Sequence, residues 1–223
     1  MKKIIIVSHA MEIGGAERAL LGLINSFDYS KYQVDLFLMR QAGELLKFIP
    51  EKVNILPMNQ AQYLAVPIRE LVAAHEIKML YGRLKAKCLA RRRIKKAGFK
   101  KDNQVELTYS HKYTWKYMDD INSNTEYDLA ISFLTPHYIC LEHVRAKKKV
   151  AWIHTDYSII DIDVETELSM WEAYDYIASI SEKATEAFLK KFPTLQDKII
   201  GIDNIVTNSM IEEQANGDIE LEL

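Results

Sequence analysis

The stretch KIIIVSHAMEIGGAER, residues 3–18, decides the fold of this chain. It begins with the β-branched run Ile4–Val7, which is typical of a strand buried on both faces in a parallel sheet. After the paired glycines Gly14 and Gly15, apolar residues recur at helical spacing from Ala16 onward. The unit is therefore predicted to be a strand, a loop, a glycine pair and a helix.

The start of this helix is a candidate anion site. The N–H groups of a first helical turn lack partners within the helix, and the helix dipole is positive there. Because Gly14 and Gly15 have no Cβ, a phosphate could approach the backbone closely. The alternative is that the glycines only form a tight turn and let the helix pack on the sheet. The G-x-G-x-x-G spacing fails after Gly14, and the next strand ends at Met39 and Arg40 without an acidic residue, which disfavours a nicotinamide enzyme.

The rest of the chain alternates between strands and helices. Further strands are predicted over residues 34–39, 53–56, 128–133, 149–153, 174–180 and 198–202. Helices are predicted over residues 43–49, 136–144, 164–171 with acidic positions outward, 183–192 and 208–215. This alternation predicts the α/β class, with a Rossmann-like, doubly wound parallel sheet of about seven strands. Residues 1–215 would form one domain, and residues 216–223 an acidic tail.

A helical insertion interrupts the alternation around residues 60–126. Apolar spacing predicts one long amphipathic helix, whole or broken, that starts after Pro67 and ends at Gly98. Ten lysines and arginines lie between Arg83 and Lys101 without an acidic residue. Such a run is most often a solvated face, but it would also suit an anionic membrane or a phosphate-rich acceptor. The candidates for that contact are Arg83, Lys87, Arg91, Arg92 and Lys95.

Bulk composition excludes several classes of protein. The formal net charge is −2, so the molecule as a whole is not a nucleic-acid trap, and the basic run contains only one aromatic residue, Phe99, for base stacking. Cys88 and Cys140 have no paired spacing and are predicted to be reduced thiols. No stretch is long enough to span a bilayer, and the apolar run after Lys3 is too short for a signal peptide. We expect a cytoplasmic location, which is compatible with peripheral binding to the inner face of the membrane.

Polar residues follow several predicted strands, and the carboxyl ends of parallel strands meet at one edge of a sheet. The candidates at this edge are Ser8 and His9 beside the glycine pair, Thr135 and His137, the run His154, Thr155 and Asp156, and Ser179 with the pair Ser181-Glu182. A neutral imidazole at His154 could bind a sugar hydroxyl and a protonated one a phosphate, whereas the alternative is a packed histidine. Asp156 would cap the next helix or bind a hydroxyl, and Ser181 is a predicted N-cap.

His75, His111 and His143 suggest no site, and the histidine spacing suggests no metal site. His75 and His111 lie in the insertion without a visible role, and His143 is expected to face solvent. His137 and His143 are six residues apart with no carboxylate at matching spacing, so no metal site is predicted. The sequence contains no G-x-S-x-G motif, which disfavours a Ser-His-Asp hydrolase.

Taken together, these motifs resemble the N-terminal domain of family 4 (group 1) glycosyltransferases of the GT-B fold. The resemblance rests on GGAER (14–18), YDLAIS (127–132), VAWIHTD (150–156), the segment 174–182 and the segment 198–206. It is weak between residues 59 and 126, which would be the variable acceptor side of the family.

The resemblance implies two Rossmann-like domains that face a cleft, the first binding the acceptor and the second most of the nucleotide-sugar donor. It implies retaining, metal-independent transfer without a cofactor, to a polysaccharide or lipid-linked acceptor. Gly14 and Gly15 would approach the donor diphosphate. His154 would contact the donor sugar and stabilise developing positive charge, and is the catalytic candidate.

The family's donor-binding residues belong to a second domain, expected after Asn208 and absent from this sequence. We therefore expect little or no transferase activity from this chain alone. Two alternatives stay open. One is a nucleotide-sugar epimerase of the GT-B type, for which Asp156 is the available carboxylate. The other is a non-catalytic module that binds through the basic run.

Overall fold

All seven predicted strands form one parallel sheet. The computed structural model describes residues 1–59, 66–99 and 103–205. The strands are β1 (Lys2–Ser8), β2 (Tyr32–Leu38), β3 (Asn54–Ile55), β4 (Leu129–Ser132), β5 (Lys149–Ile153), β6 (Tyr176–Ser179) and β7 (Ile199–Gly201). Their order is β3-β2-β1-β4-β5-β6-β7, and every neighbouring pair is parallel. The direction of winding reverses between β1 and β4, so the predicted Rossmann-like α/β class is confirmed.

Seven α-helices connect or flank the described strands. They are α1 (Gly15–Asn25), α2 (Ile68–Ala73), α3 (Ile77–Ala97), α4 (Val105–Thr114), α5 (Tyr138–His143), α6 (Val164–Glu172) and α7 (Glu182–Lys191). The helix predicted over residues 43–49 is a short 3-10 helix, Glu44–Phe48. The helix predicted over residues 208–215 and the tail 216–223 lie outside the described residues. None of the helices in the described ranges is both long and apolar enough to cross a membrane.

The sheet is buried on both faces, which explains the continuous apolar run of β1. Ile4 and Ile6 belong to a core cluster with residues of α1. Ile5 and Val7 point to the opposite face, into a cluster with residues of α5. Alternate residues of one strand thus pack into two separate layers, because successive side chains point to opposite faces.

The insertion consists of helices, as predicted, but the long helix is divided. α2 and α3 are separated by a turn in which His75 has a positive φ of 59°. α3 ends at Gly98, whose φ of 68° is left-handed, so the predicted C-cap is confirmed. α3 packs against α4 through Ala86, Ala90 and Tyr109. Because β4 follows the insertion and pairs with β1, α4 can contribute residues near the middle of the sheet.

Candidate functional site

The carboxyl ends of β1, β4, β5 and β6 form one continuous edge of the sheet. The loop after β1 carries His9 and the glycine pair, and His154 follows β5 directly. Only β4 separates β1 from β5. With neighbouring strands about 4.8 Å apart, the two strand ends lie roughly 10 Å from each other. The structure therefore brings the glycine loop and His154 to the same edge, at the point where the winding reverses.

The glycine pair does not form a tight turn. Gly14 is the N-cap of α1 with φ −157° and ψ 164°, an extended conformation open to any residue. Gly15 is exposed as the first residue of α1, and apart from its chain neighbours and the backbone of α1 itself, no described atom lies within 4 Å of the position that its Cβ would occupy. The turn-and-packing alternative is therefore not supported, and the approach to the start of α1 is open at Gly15. The three atoms nearest to a Cβ at Gly14 would all belong to the flexible carboxylate of Glu17, the nearest at 2.2 Å.

A second loop, which the sequence pattern did not predict, supports the glycine loop. The N–H of Met11 donates to the carbonyl of Ala42, and the N–H of Leu45 donates to the carbonyl of Met11, both at 2.9 Å. Gly43 has a φ of 113°, and a Cβ there would lie 2.1 Å from the Met11 backbone. Glycine is thus required at this position by both conformation and space. The only signal in the sequence was a glycine at the first position of a short predicted helix.

His154 is a neutral imidazole held between aromatic side chains. Its ring centroid lies 4.3 Å from that of Phe133, and it stacks on Trp152 at 6.0 Å with an interplanar angle of 15°. Burial lowers the pKa of His154 to about 4. The ring is therefore uncharged near neutral pH, which favours contact with a hydroxyl group over contact with a phosphate.

Three more histidines extend this position into a row. His9 and His111 stack with ring centroids 5.8 Å apart and an interplanar angle of 23°. His137 is fully buried, with its Nδ1 2.8 Å from the Ser132 hydroxyl. We refer to His9, His111, His137 and His154 as the imidazole row. His111 comes from α4, so the insertion reaches the strand edge and stacks an imidazole on His9 there.

Burial keeps the whole imidazole row neutral. It lowers the pKa of His9 to about 4. It lowers the pKa values of His111 and His137 well below the ordinary range, and neighbouring imidazoles add to this effect. The remaining two histidines lie elsewhere. His75 is exposed, whereas His143 is buried between Asp120 and the Trp115 carbonyl, so its predicted solvent exposure was wrong.

The other selected residues at this edge have local partners. The carboxylate of Asp156 accepts hydrogen bonds from the Ser158 N–H at 2.8 Å and the Ser158 hydroxyl at 2.6 Å. It thereby closes a turn rather than capping a helix, since α6 begins only at Val164. Ser181 accepts from the Ala184 N–H at 3.2 Å, so the predicted N-cap of α7 is confirmed. Thr155 is half-buried, and Glu182 is exposed in the first turn of α7.

Two buried acidic residues, Asp163 and Glu167, join the insertion to α6, and we refer to them as the acidic node. Asp163 accepts hydrogen bonds from Arg93 at 2.9 Å and from the Tyr109 hydroxyl at 2.8 Å. Glu167 is fully buried and accepts from the Thr108 hydroxyl at 3.1 Å, and burial raises the pKa of Glu167 to about 7. The prediction that the acidic positions of this helix face outward was therefore wrong for Glu167. Helical spacing alone could not reveal it, because its partners come from α4.

Some side chains of the basic run point inward, and the others are exposed to solvent. Arg93 points inward to Asp163, and the half-buried Arg83 donates to the Val66 carbonyl. The other four membrane-contact candidates are exposed on α3, namely Lys87, Arg91, Arg92 and Lys95. Within the described ranges, no group of three His, Cys, Asp or Glu side chains is arranged to hold a metal ion.

Solved structures share this fold over part of their length. A glycosyltransferase from Rickettsia africae matches with 14% identity and a TM-score of 0.50, over 96% of this chain and 48% of that chain. HepE from Anabaena in complex with UDP-glucose matches with 14% identity and a TM-score of 0.47, over 92% and 44%. UGT2 from Phytolacca americana, complexed with UDP-2-fluoro-glucose and pterostilbene, matches with 11% identity and a TM-score of 0.44, over 93% and 54%.

These likenesses concern the fold. The chain spans about half the length of the solved structures that it matches. No protein-family model and no curated protein matches the sequence. The class that the structure defines is thus a Rossmann-like α/β domain, shared with one part of the Rickettsia glycosyltransferase.

Proposed function

We propose that this chain is the N-terminal, acceptor-side domain of a retaining glycosyltransferase of the GT-B fold. It would act with a second domain on a nucleotide-sugar donor and a polysaccharide or lipid-linked acceptor, without a metal. One observation carries this proposal: the open start of α1 at Gly15 and the neutral imidazole of His154 lie at the same edge of the sheet. Their strand ends are two strand spacings apart, a distance that a hexose diphosphate spans.

Each end of this arrangement suits one part of the donor. The start of α1 suits the diphosphate, because first-turn N–H groups have no partner within the helix and the helix dipole attracts anions there. The uncharged ring of His154 suits the sugar, because it can exchange a hydrogen bond with a hydroxyl. Phe133 and Trp152 hold this ring in place, so its orientation is fixed before substrate binds.

Binding by the chain alone tests the proposal. UDP and UDP-glucose would be titrated separately into the wild type, with GDP- and TDP-sugars as further probes. Gly15→Ala is expected to weaken both UDP ligands about tenfold, since a methyl group intrudes on the anion site. His154→Phe keeps an aromatic ring but removes the hydrogen bond, so it is expected to weaken UDP-glucose about tenfold and leave UDP unchanged.

Gly201→Ala provides the matched control. Like Gly15, Gly201 has no described atom within 4 Å of its Cβ position, but it lies at the end of β7, far along the sheet. This variant is expected to bind as the wild type does. If none of the nucleotides binds, or if Gly15→Ala and Gly201→Ala behave alike, the proposal fails. A turnover assay on this chain alone should give little product, and normal rates would contradict the need for a second domain.

The structure favours a membrane role for the outer face of α2 and α3. Five large apolar side chains on this face are more than half exposed, namely Ile68, Val72, Ile77, Tyr81 and Leu84. Along α3 the spacing Ile77, Tyr81, Leu84 continues onto Arg91 and Lys95, so apolar and basic groups share one stripe. We propose that this stripe contacts an anionic membrane and thereby brings the domain to a lipid-linked acceptor.

The epimerase alternative is less favoured. It depends on Asp156 as a carboxylate near the sugar, but both hydrogen bonds of Asp156 go to Ser158 in its own turn. A binding module for nucleic acid also lacks support within the described residues, since the basic half of α3 offers cations without interleaved aromatic rings.

A further inference from the structure

A cavity opens on one face of the sheet, apart from the strand edge described above. Its volume is about 390 Å³, which lies in the range of small-molecule binding sites. Its lining comes from β2, the segment that follows β3, the segment that precedes β4, and α5. None of the residues assigned to the donor in the proposed function lines it. We refer to it as the sheet-face cavity, and it can hold a ligand independently of the donor.

The floor of the sheet-face cavity is apolar. Phe37, Leu56 and Ile139 are buried there and belong to the core cluster on one face of β1. Met58 and Met118 are half-buried and pack against the same cluster. Methionine side chains are flexible and adapt to apolar groups of irregular shape. The floor therefore suits an apolar body, such as an aromatic ring or a short alkyl chain.

The rim of the sheet-face cavity is acidic. Its exposed polar members are Asn59, Asp119, Asp120 and Asn122. Among the described residues that line the cavity there is no lysine or arginine. A cleft that carries charge of one sign between low-dielectric walls concentrates the field of those charges. The rim therefore attracts cations and repels anions.

A single neutral donor connects two carboxylates beside this rim. Nδ2 of Asn59 donates to Oδ2 of Asp119 at 3.3 Å and to Oε1 of Glu76 at 3.5 Å, and both distances are longer than is typical of a hydrogen bond. Oδ1 of Asp120 lies 2.8 Å from Nδ1 of His143, and its Oδ2 has no hydrogen-bond partner among the described residues. An ammonium group brings three N–H donors and a positive charge, so it would satisfy these oxygens better than one amide does.

We propose that the sheet-face cavity binds a small organic amine. The ammonium group lies at the carboxylates of Asp119 and Asp120, and the apolar body lies on the floor formed by Phe37 and Leu56. An alcohol of the same shape lacks the charge, and a carboxylate of the same shape is repelled by the rim. This inference goes beyond the proposed function, because the cavity shares no residue with the groups assigned to the donor.

NMR of the methionine methyl groups in the full chain tests the inference. The sequence has eight methionines. Met58 and Met118 line the cavity, whereas Met79 and Met170 are buried elsewhere and serve as internal controls. The probes are benzylamine, benzyl alcohol and benzoate. Benzylamine is expected to shift the signals of the two cavity methionines in a saturable way, about tenfold more tightly than benzyl alcohol, and benzoate is expected not to bind.

Charge-neutralising variants separate the rim from the floor. The double variant Asp119→Asn and Asp120→Asn is expected to weaken benzylamine about tenfold and to leave benzyl alcohol unchanged. Asp119→Asn alone leaves the contact between Asp120 and His143 in place and should give part of that loss. The matched control changes Asp197 and Asp203 to Asn. It removes the same charge from exposed positions outside the cavity, and it should bind as the wild type does.

The outcomes decide the proposal. Selective, saturable shifts that weaken at high salt would support it, because salt screens the rim. If benzyl alcohol or benzoate binds as tightly as benzylamine, the acidic rim selects nothing and the assignment of an amine fails. If Met79 and Met170 shift as much as Met58 and Met118, or if the two double variants lose equal affinity, binding does not occur at this cavity. Absence of any shift with benzylamine would also overturn the inference, and none of these results bears on UDP binding at Gly15.

Discussion

The inner and outer faces of α3 use side chains of the same charge for different purposes. Arg92 and Arg93 are neighbours in one basic run, yet Arg92 is exposed and Arg93 is paired with the buried Asp163. The helix turns successive residues by about 100°, so a run of one charge is divided between solvent and core. A charge run in a sequence is therefore not one functional unit. Three of the predictions below test this division, and the fourth compares the buried acidic residues next to Arg93 with the imidazole row.

The largest effect is expected on the outer face. The triple variant Arg91→Gln, Arg92→Gln and Lys95→Gln should lose about 3 kcal/mol of binding to anionic vesicles, or about a hundredfold, because each basic residue contributes roughly 1 kcal/mol. Sedimentation with vesicles containing phosphatidylserine measures it. A matched variant with three scattered exposed lysines changed, Lys2, Lys52 and Lys190 to Gln, should bind nearly as well as the wild type. Equal losses in both variants, or binding that ignores salt, would remove the case for a membrane stripe.

The inner face should respond in stability instead. Arg93→Leu leaves the Asp163 carboxylate buried without its cation, and the free energy of unfolding should fall by about 2 kcal/mol. This is less than for a fully enclosed pair, because the Arg93 side chain stays 34% exposed. Urea denaturation measures the change, and Arg92→Leu should stay within about 0.5 kcal/mol of the wild type. If the two variants lose equal stability, the division of the run is wrong.

The acidic node and the imidazole row are expected to change the free energy of unfolding in opposite directions with pH. Burial raises the pKa of Glu167 to about 7 from 4.5, so its contribution falls as pH rises from 4.5 through 7. The pKa values of His9 and His154 are lowered from 6.5 to about 4, so their contributions fall as pH drops from 6.5 toward 4. The two trends oppose each other between pH 5 and 6.5.

Glu167→Gln should therefore expose the trend of the histidines. Without the titration of Glu167, the free energy of unfolding should rise with pH more steeply than in the wild type, by about 1.4 kcal/mol per pH unit. Urea unfolding of both proteins across this pH interval measures the slopes. Parallel slopes would mean that Glu167 does not titrate there in the folded protein.

The smallest effect concerns one hydroxyl group beside the inner face of α3, that of Tyr109 on α4. Tyr109→Phe removes the hydrogen bond to Asp163 and should cost about 1 kcal/mol, since Arg93 remains as a partner. Tyr81→Phe on the outer face is the matched control, because Tyr81 is 58% exposed and its change should leave stability unaltered. Thermal unfolding of the two variants distinguishes them, and a reversed order would contradict the assignment of the faces.

The local sequence pattern predicted correctly those features that depend on a single helix or strand. The apolar run Ile4–Val7 predicted a doubly buried strand, Ser181 predicted a helix start, and Gly98 predicted a helix end, and each is confirmed. The signal is local in these cases, because burial on both faces, a side-chain cap and a left-handed glycine depend on a few adjacent residues. The same reasoning placed His154 and the glycine pair at the ends of parallel strands.

The local sequence pattern gave wrong predictions of burial where a side chain has its hydrogen-bond partner on a distant element. Glu167 was predicted to face solvent, but α4 brings Thr108 to it, 59 residues away in the chain. His143 was predicted to be exposed, but Asp120 and the Trp115 carbonyl enclose it. An acid or an imidazole has the same helical spacing whether its neighbour is water or a buried donor, so periodicity cannot distinguish the two cases.

The sequence by itself determined the parallel seven-stranded sheet and the edge at which chemistry can occur, because strand composition and connection length leave few other topologies. Only the tertiary structure decided that α4 places His111 on His9, that the basic run divides at Arg93, and that the edge is lined by uncharged imidazoles. These features depend on which elements pack together, and the burial that results from packing sets the charge of each group.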